Sequence, residues 1–246
     1  MKLYFNGCSH AHGDELSNPL SQAWPAIIAQ ELGCKFLNDS RSGGANDRIV
    51  YRTINQIDQF DKFYIAWTYL ERFTRYRADN NYEVCFNPHL NHSMYGKLPE
   101  FQQYSKLHYN VWYNELYSFK FWLQNIILLQ ALFKLKNKSY VMINADNNLI
   151  DRWTTDWPLF KDSVKSLVCF DSMDDSQLYA EHLEIQNLVK QIDFSHYIGW
   201  NTWWITQLTA TYPCGPCGHL LNDGQLAVAQ HILAHDKKDT LMSDYI

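Results

Sequence analysis

Short apolar runs that end in glycine or asparagine alternate with stretches whose apolar residues recur every three or four positions. Leu3 to Gly7 is the first run and reads as a strand. Trp24 to Gly33 then reads as a helix, with Pro25 in its first turn and Gly33 at its C-terminal stop. Cys34–Leu37 predicts a second strand. Asn46 to Ile57 predicts a helix, from the spacing of Ile49, Val50, Ile54 and Ile57. Phe63–Trp67 predicts a third, buried strand. Such alternation predicts a parallel sheet covered by helices on both faces. Ligands bind such sheets beyond the carboxyl ends of the strands, so the loops from Gly7, Asn38 and Trp67 are the places to look for chemistry.

The pattern breaks from about residue 75 to 112. This stretch mixes polar and aromatic residues and reads as an insertion without elements of its own, packed over the sheet edge or the site mouth. Helical spacing returns from Trp112 to Leu135, and Ser139–Ala145 predicts a fourth strand. Helices are expected near 158–169 and 176–192, with a last one from about Asp223 to Ala234. With 246 residues and no repeat or low-complexity tract, the chain reads as a single domain over 1–246.

Aromatic residues make up 15% of the chain, which suits an aromatic core or interface and also flat amphipathic ligands such as sugars. The net charge of −5 and the scattered basic residues disfavour a nucleic-acid partner. No run of about 18 apolar residues predicts a membrane span. The N-terminus reads as a strand rather than a secretory signal, so synthesis in a cytosol is expected, with virion association open. The six cysteines, at 8, 34, 85, 169, 214 and 217, read mostly as buried small hydrophobes.

Three loops carry residues that suit chemistry. Gly7-Cys8-Ser9-His10 follows the first strand directly and would expose a serine hydroxyl at the sheet edge, or simply turn the chain. The paired glycines of Asn38-Asp39-Ser40-Arg41-Ser42-Gly43-Gly44 let backbone N–H groups approach a ligand, or form a turn capped by Asn46 or Asp47. His219, just ahead of the last helix, stands where a general base could reach the sheet edge. Cys214-Gly215-Pro216-Cys217 matches a thioredoxin-type string, and with His219 it has zinc-like spacing. Its favoured reading is a tight turn that positions His219. Asp14 and Glu15, after His10 and His12, read as a solvated turn, and no metal or other cofactor is expected.

In this order the three blocks resemble the SGNH (GDSL-type) hydrolases. The resemblance covers roughly residues 2–72, 139–145 and 215–234. It implies a flavodoxin-like three-layer α/β/α fold with Ser9 as nucleophile and His219 as base. The backbone N–H groups of Ser9 and Gly43 would bind the oxyanion, with Gly44 as the neighbour of Gly43. Ala45-Asn46-Asp47-Arg48-Ile49 is similar to a Ser-Asn-Asp-Arg-Ile stretch of phage-type members. The implied activity is hydrolysis of small acyl esters, including O-acetyl groups on carbohydrate, with a small ester or acetylated glycan as partner. The sequence does not give an oligomeric state. Two family positions differ. The third block has no Asn after Trp67, leaving Thr68 or Asn46 as substitute donors. The acid expected two or three residues before His219 is replaced by Cys217 and Pro216. Those losses leave open a catalytically impaired binding or virion-structural module.

Overall fold

A computed structural model describes residues 1–76, 83–88, 99–145, 150–165, 173–200 and 204–243. The chain runs β1 (Lys2–Asn6), α1 (Ser9–His12), α2 (Pro19–Gln22), α3 (Trp24–Glu31), β2 (Lys35–Asn38), α4 (Asn46–Gln56) and β3 (Lys62–Trp67). It continues through β4 (Phe73–Tyr76), β5 (Glu83–Phe86), α5 (Pro99–Leu107), a π-helical turn (His108–Trp112) and α6 (Glu115–Leu135). The remainder is β6 (Ser139–Asn144), α7 (Ile150–Thr154), α8 (Trp157–Lys165), α9 (Asp175–Val189), β7 (Tyr197–Ile198), α10 (Trp204–Leu208) and α11 (Asn222–Ser243).

The main sheet has five strands in the order β2-β1-β3-β6-β7, all paired in parallel. Counting only these strands, the order is the 2-1-3-4-5 of flavodoxin-like sheets, as expected. Successive residues point to opposite faces, so each strand serves two cores. Tyr4, Phe63, Ile65, Trp67, Tyr140 and Met142 face α4, α6 and α9. Leu3, Phe5, Tyr64, Ala66, Val141 and Ile143 face α3 and α11. Much of the aromatic content is spent here. Phe5 stacks on Tyr64 at 4.8 Å, and Trp67 meets Trp122 edge-on at 6.4 Å.

The stretch expected to lack elements does not lack them. β4 and β5 form an antiparallel pair in which Phe73 stacks on Phe86 at 4.9 Å, and α5 and the π-helical turn follow. Residues 77–82 and 89–98 of that stretch lie outside the described residues, as do the end of the helix expected over 158–169 and Cys169. Among the described residues no helix is long and apolar enough to cross a membrane.

Candidate active site

Asn6, the last residue of β1, is fully buried although it ends an apolar strand. Its Oδ1 accepts from the Gly7 N–H at 3.0 Å. Its Nδ2 donates to the Ile49 carbonyl at 3.1 Å and to Thr53 Oγ1 at 3.2 Å. The chain therefore leaves the sheet along a fixed path. Cys8 is extended, Ser9 opens a single helical turn, and Gly13 closes that turn in the left-handed region at φ 89°. The Cys8 carbonyl accepts from Ala11 and His12 at 3.1 and 2.9 Å. Ser9, at the first helical position, has a backbone N–H with no carbonyl one turn behind it within the helix.

The loop after β2 is laid against this turn. Asp39 N–H donates to the Phe5 carbonyl at 2.8 Å, and Arg41 N–H to the Gly7 carbonyl at 3.1 Å. A Cβ on Gly44 would sit 2.9 Å from the Gly7 carbonyl oxygen and 3.0 Å from that of Arg41, so only glycine permits the approach. Gly43 has φ 69°, and a Cβ there would meet nothing within 4 Å. The Ser9 and Gly43 segments thus share one edge of the sheet.

Asn46 and Thr68 are engaged with each other. Asn46 Nδ2 donates to the carbonyls of Thr68 (2.9 Å) and Tyr69 (3.3 Å), and Thr68 N–H donates to Asn46 Oδ1 at 2.9 Å. The Thr68 hydroxyl accepts from Arg72 at 3.0 Å. These bonds pin the end of β3 to the start of α4. Neither Asn46 nor Asp47 caps that helix, whose N-cap is Ala45. Asp47 instead accepts from its neighbour Arg48 at 2.7 Å and from the Thr74 N–H of β4 at 2.8 Å. Burial pushes the Asp47 carboxyl up despite these bonds.

The Cys-Gly-Pro-Cys string forms the expected turn. Cys214 and Leu220 make an isolated antiparallel bridge, Gly215 N–H donates to the His219 carbonyl at 2.9 Å, and Gly218 N–H donates to the Gly215 carbonyl at 3.0 Å. The following helix starts only at Asn222, so Cys214 is not at a helix N-terminus as the thioredoxin reading requires.

The turn holds His219 against a carboxylate that sequence reasoning missed. Glu15 Oε2 lies 2.9 Å from His219 Nδ1 and accepts the His219 N–H at 3.1 Å, while Oε1 accepts the Cys217 N–H at 2.8 Å. Both side chains are largely buried, His219 14% exposed and Glu15 16%. The bond from Cys217, with those from His219, holds the Glu15 carboxyl below the usual carboxylate range. Glu15 is therefore not the solvated turn residue expected. It adopts φ 69°, uncommon for a non-glycine residue. A Cβ on Gly215 would lie 2.5 Å from the Glu15 carboxyl carbon, so the carboxylate occupies the space a side chain there would take. The His219 ring also packs on His10, the neighbour of Ser9, with ring centroids 4.9 Å apart. In the same loop His12 Nδ1 meets Asp14 Oδ1 at 2.7 Å. Burial pushes Asp14 up, but bonds from His12 and Ser42 outweigh it and hold this carboxyl down.

Beneath the serine turn lies a second charged cluster. Arg48, 5% exposed, donates to Glu83 at 2.7 Å and to the Asp39 carbonyl at 2.9 Å, and reaches Asn6 Oδ1 at 3.4 Å. Arg52 grips both oxygens of Asp39 at 3.0 Å, and Arg41 meets Glu83 at 3.0 Å. Glu83 is in β5, so these pairs tie the added hairpin to α4 and to the β2 loop. Burial raises the Glu83 carboxyl, but the Arg48 bond and charge overcome it and leave it low. Beside this cluster a cleft of about 390 Å³ opens from Asn46 towards the π-helical turn and the first half of α6.

No family model matches the chain, and no curated protein does. Among solved structures it is similar to the psychrotrophic esterase EstA from Pseudoalteromonas sp., at 8% identity over 96% of this chain and 97% of that one, with a TM-score of 0.49. A catalytic mutant of Axe2, an acetylxylan esterase from Geobacillus stearothermophilus, is 12% identical over 95% and 93% of the two chains, with a TM-score of 0.46. A member of the lipolytic G-D-S-L family from Veillonella parvula is 10% identical over 95% and 96%, with a TM-score of 0.45.

Proposed function

We propose that the protein hydrolyses small acyl esters through Ser9, His219 and Glu15. The observation that carries this reading is the carboxylate–imidazole pair of Glu15 and His219. With Nδ1–H given to Glu15, the imidazole keeps Nε2 as its proton acceptor, the tautomer a general base needs.

Ser9 Oγ attacks the ester carbonyl as its proton passes to His219 Nε2. The Ser9 and Gly43 N–H groups take the negative charge that develops on the carbonyl oxygen. The C–O bond to the alcohol then breaks, and the alcohol leaves with the proton from His219. Water, deprotonated by the same imidazole, attacks the acyl-enzyme and releases the acid and free Ser9. Throughout, Glu15 stabilises the imidazolium that forms twice per cycle. Asn46 and Thr68 enter as the scaffold of the oxyanion side, since the Asn46 amide nitrogen already serves two carbonyls. The acyl group is small and the alcohol a carbohydrate, a reading that the aromatic content supports and the named acetylxylan esterase matches.

The test is a fluorophosphonate probe. Wild-type protein is expected to label at Ser9 and Ser9→Ala not to label, with loss of ester turnover on the order of 10⁶-fold. Absence of labelling in folded wild-type protein overturns the proposal and favours a non-catalytic binding module. That alternative rested on a missing acid and a missing third-block Asn, and the Glu15–His219 contact speaks against it only on the first.

A further inference from the structure

Apart from Asn46, the residues lining the cleft beside it have no part in the chemistry above. One wall comes from Leu70 to Arg75 and His108, the other from Trp112 to Asn125. Its volume of about 390 Å³ falls within the range of small-molecule sites. Asn46, which lines it, also accepts the Thr68 N–H at the end of β3, so the cleft meets the carboxyl edge of the sheet there.

Three properties define what would fit. Aromatic rings line both walls, and Trp112 and Tyr117 hold theirs largely in the open, at 72% and 65% exposure. An exposed tryptophan ring gains nothing from the fold and offers a flat apolar face to a ligand. The charges cancel: Arg72 and Arg75 are matched by Asp47 and Glu71. Both arginines are already engaged, Arg72 with Thr68 Oγ1 and over the Tyr69 ring at 4.6 Å, and Arg75 with the Thr74 carbonyl and over the Phe73 ring at 4.9 Å. A strong anion would therefore find no net field. Finally, polar side chains share the wall with the rings: Asn114, Ser118 and Asn125 line it.

An uncharged ligand with flat apolar faces and a rim of hydroxyls meets these demands, and an alkyl chain would leave the polar groups unmatched. We infer that the cleft seats the pyranose rings of a neutral oligosaccharide, on the alcohol side of the ester. The inference rests on the hydrolase reading for the word alcohol, but binding can be measured without turnover.

The experiment is calorimetric titration of Ser9→Ala protein with cellotriose, triacetylchitotriose, xylotriose and, as an apolar control, decanoate. At least one trisaccharide is expected to bind, and Trp112→Ala and Tyr117→Ala, made separately in that background, should each weaken it about tenfold. Both side chains are exposed, and circular dichroism confirms that each variant folds. Binding of no trisaccharide, binding undiminished by both variants, or decanoate binding that either variant weakens would overturn the inference. If trisaccharide binds as described but wild-type protein resists the fluorophosphonate, the hydrolase reading falls while the cleft assignment stands.

Discussion

Glu15 and Glu83 are the same side chain put to two uses. Each crosses from one segment to hold another, Glu15 over 204 positions to His219 and Glu83 over 35 to Arg48. Glu83 faces guanidinium groups at 2.7, 3.0 and 4.0 Å, whose nitrogens are donors only. Such a pair is permanent and can only fasten. Glu15 faces an imidazole, whose second ring nitrogen is left to accept a proton when the first is held by the carboxylate. The partner's capacity to accept a proton, rather than the carboxylate, separates a fastening from the proposed working part.

Variants can break that comparison. Glu15→Gln keeps the shape but removes the charge that stabilises the imidazolium, and kcat should fall about 10²- to 10⁴-fold with KM little changed. Equal losses from Glu83→Gln would erase the distinction. Gly215→Ala sets a methyl against the Glu15 carboxyl, the end of a flexible side chain that can swing away. The fold should therefore survive, with kcat reduced roughly ten- to a hundredfold, toward the Glu15→Gln level. Arg48→Met acts in the opposite sense. Urea unfolding should show a loss of about 3 kcal/mol, the low end for a broken buried pair because Arg52 and Arg41 still serve Asp39 and Glu83. The folded fraction should keep activity within a few-fold.

The smallest effect is on acid stability. The native Glu15 carboxyl lies below its ordinary value of 4.5, so its contribution is present above that value and lost as pH falls through the depressed one. The stability gap between wild type and Glu15→Gln should close on acidification over that interval, as followed by thermal melts.

Much of the fold was legible because parallel strands buried on both faces read as apolar runs. The placement of Ser9, Gly43 and His219 was legible too: Ser9 opens the helical turn after β1, Gly43 lies in the loop after β2, and His219 lies in the turn before the last helix. Glu15 was not. Its partner is 204 residues away and its left-handed backbone leaves no composition signal. The one available hint was the Asp14-Glu15 pair so soon after Ser9, in a chain whose acid position before His219 was empty. The β4–β5 hairpin escaped because each strand has four residues, too few to establish a period. Asn6 escaped because it closes an apolar run while its amide works inward.

Under the proposed function, Glu15 also sets when the protein can begin to act. The proposed nucleophile and acid are six positions apart. The base follows 204 positions after the acid. At about 5–20 residues per second, the nascent chain carries a serine and its acid without a base for roughly 10–40 s. On the proposed mechanism, the site stays silent until the turn at Gly215 is made and folded back against Glu15.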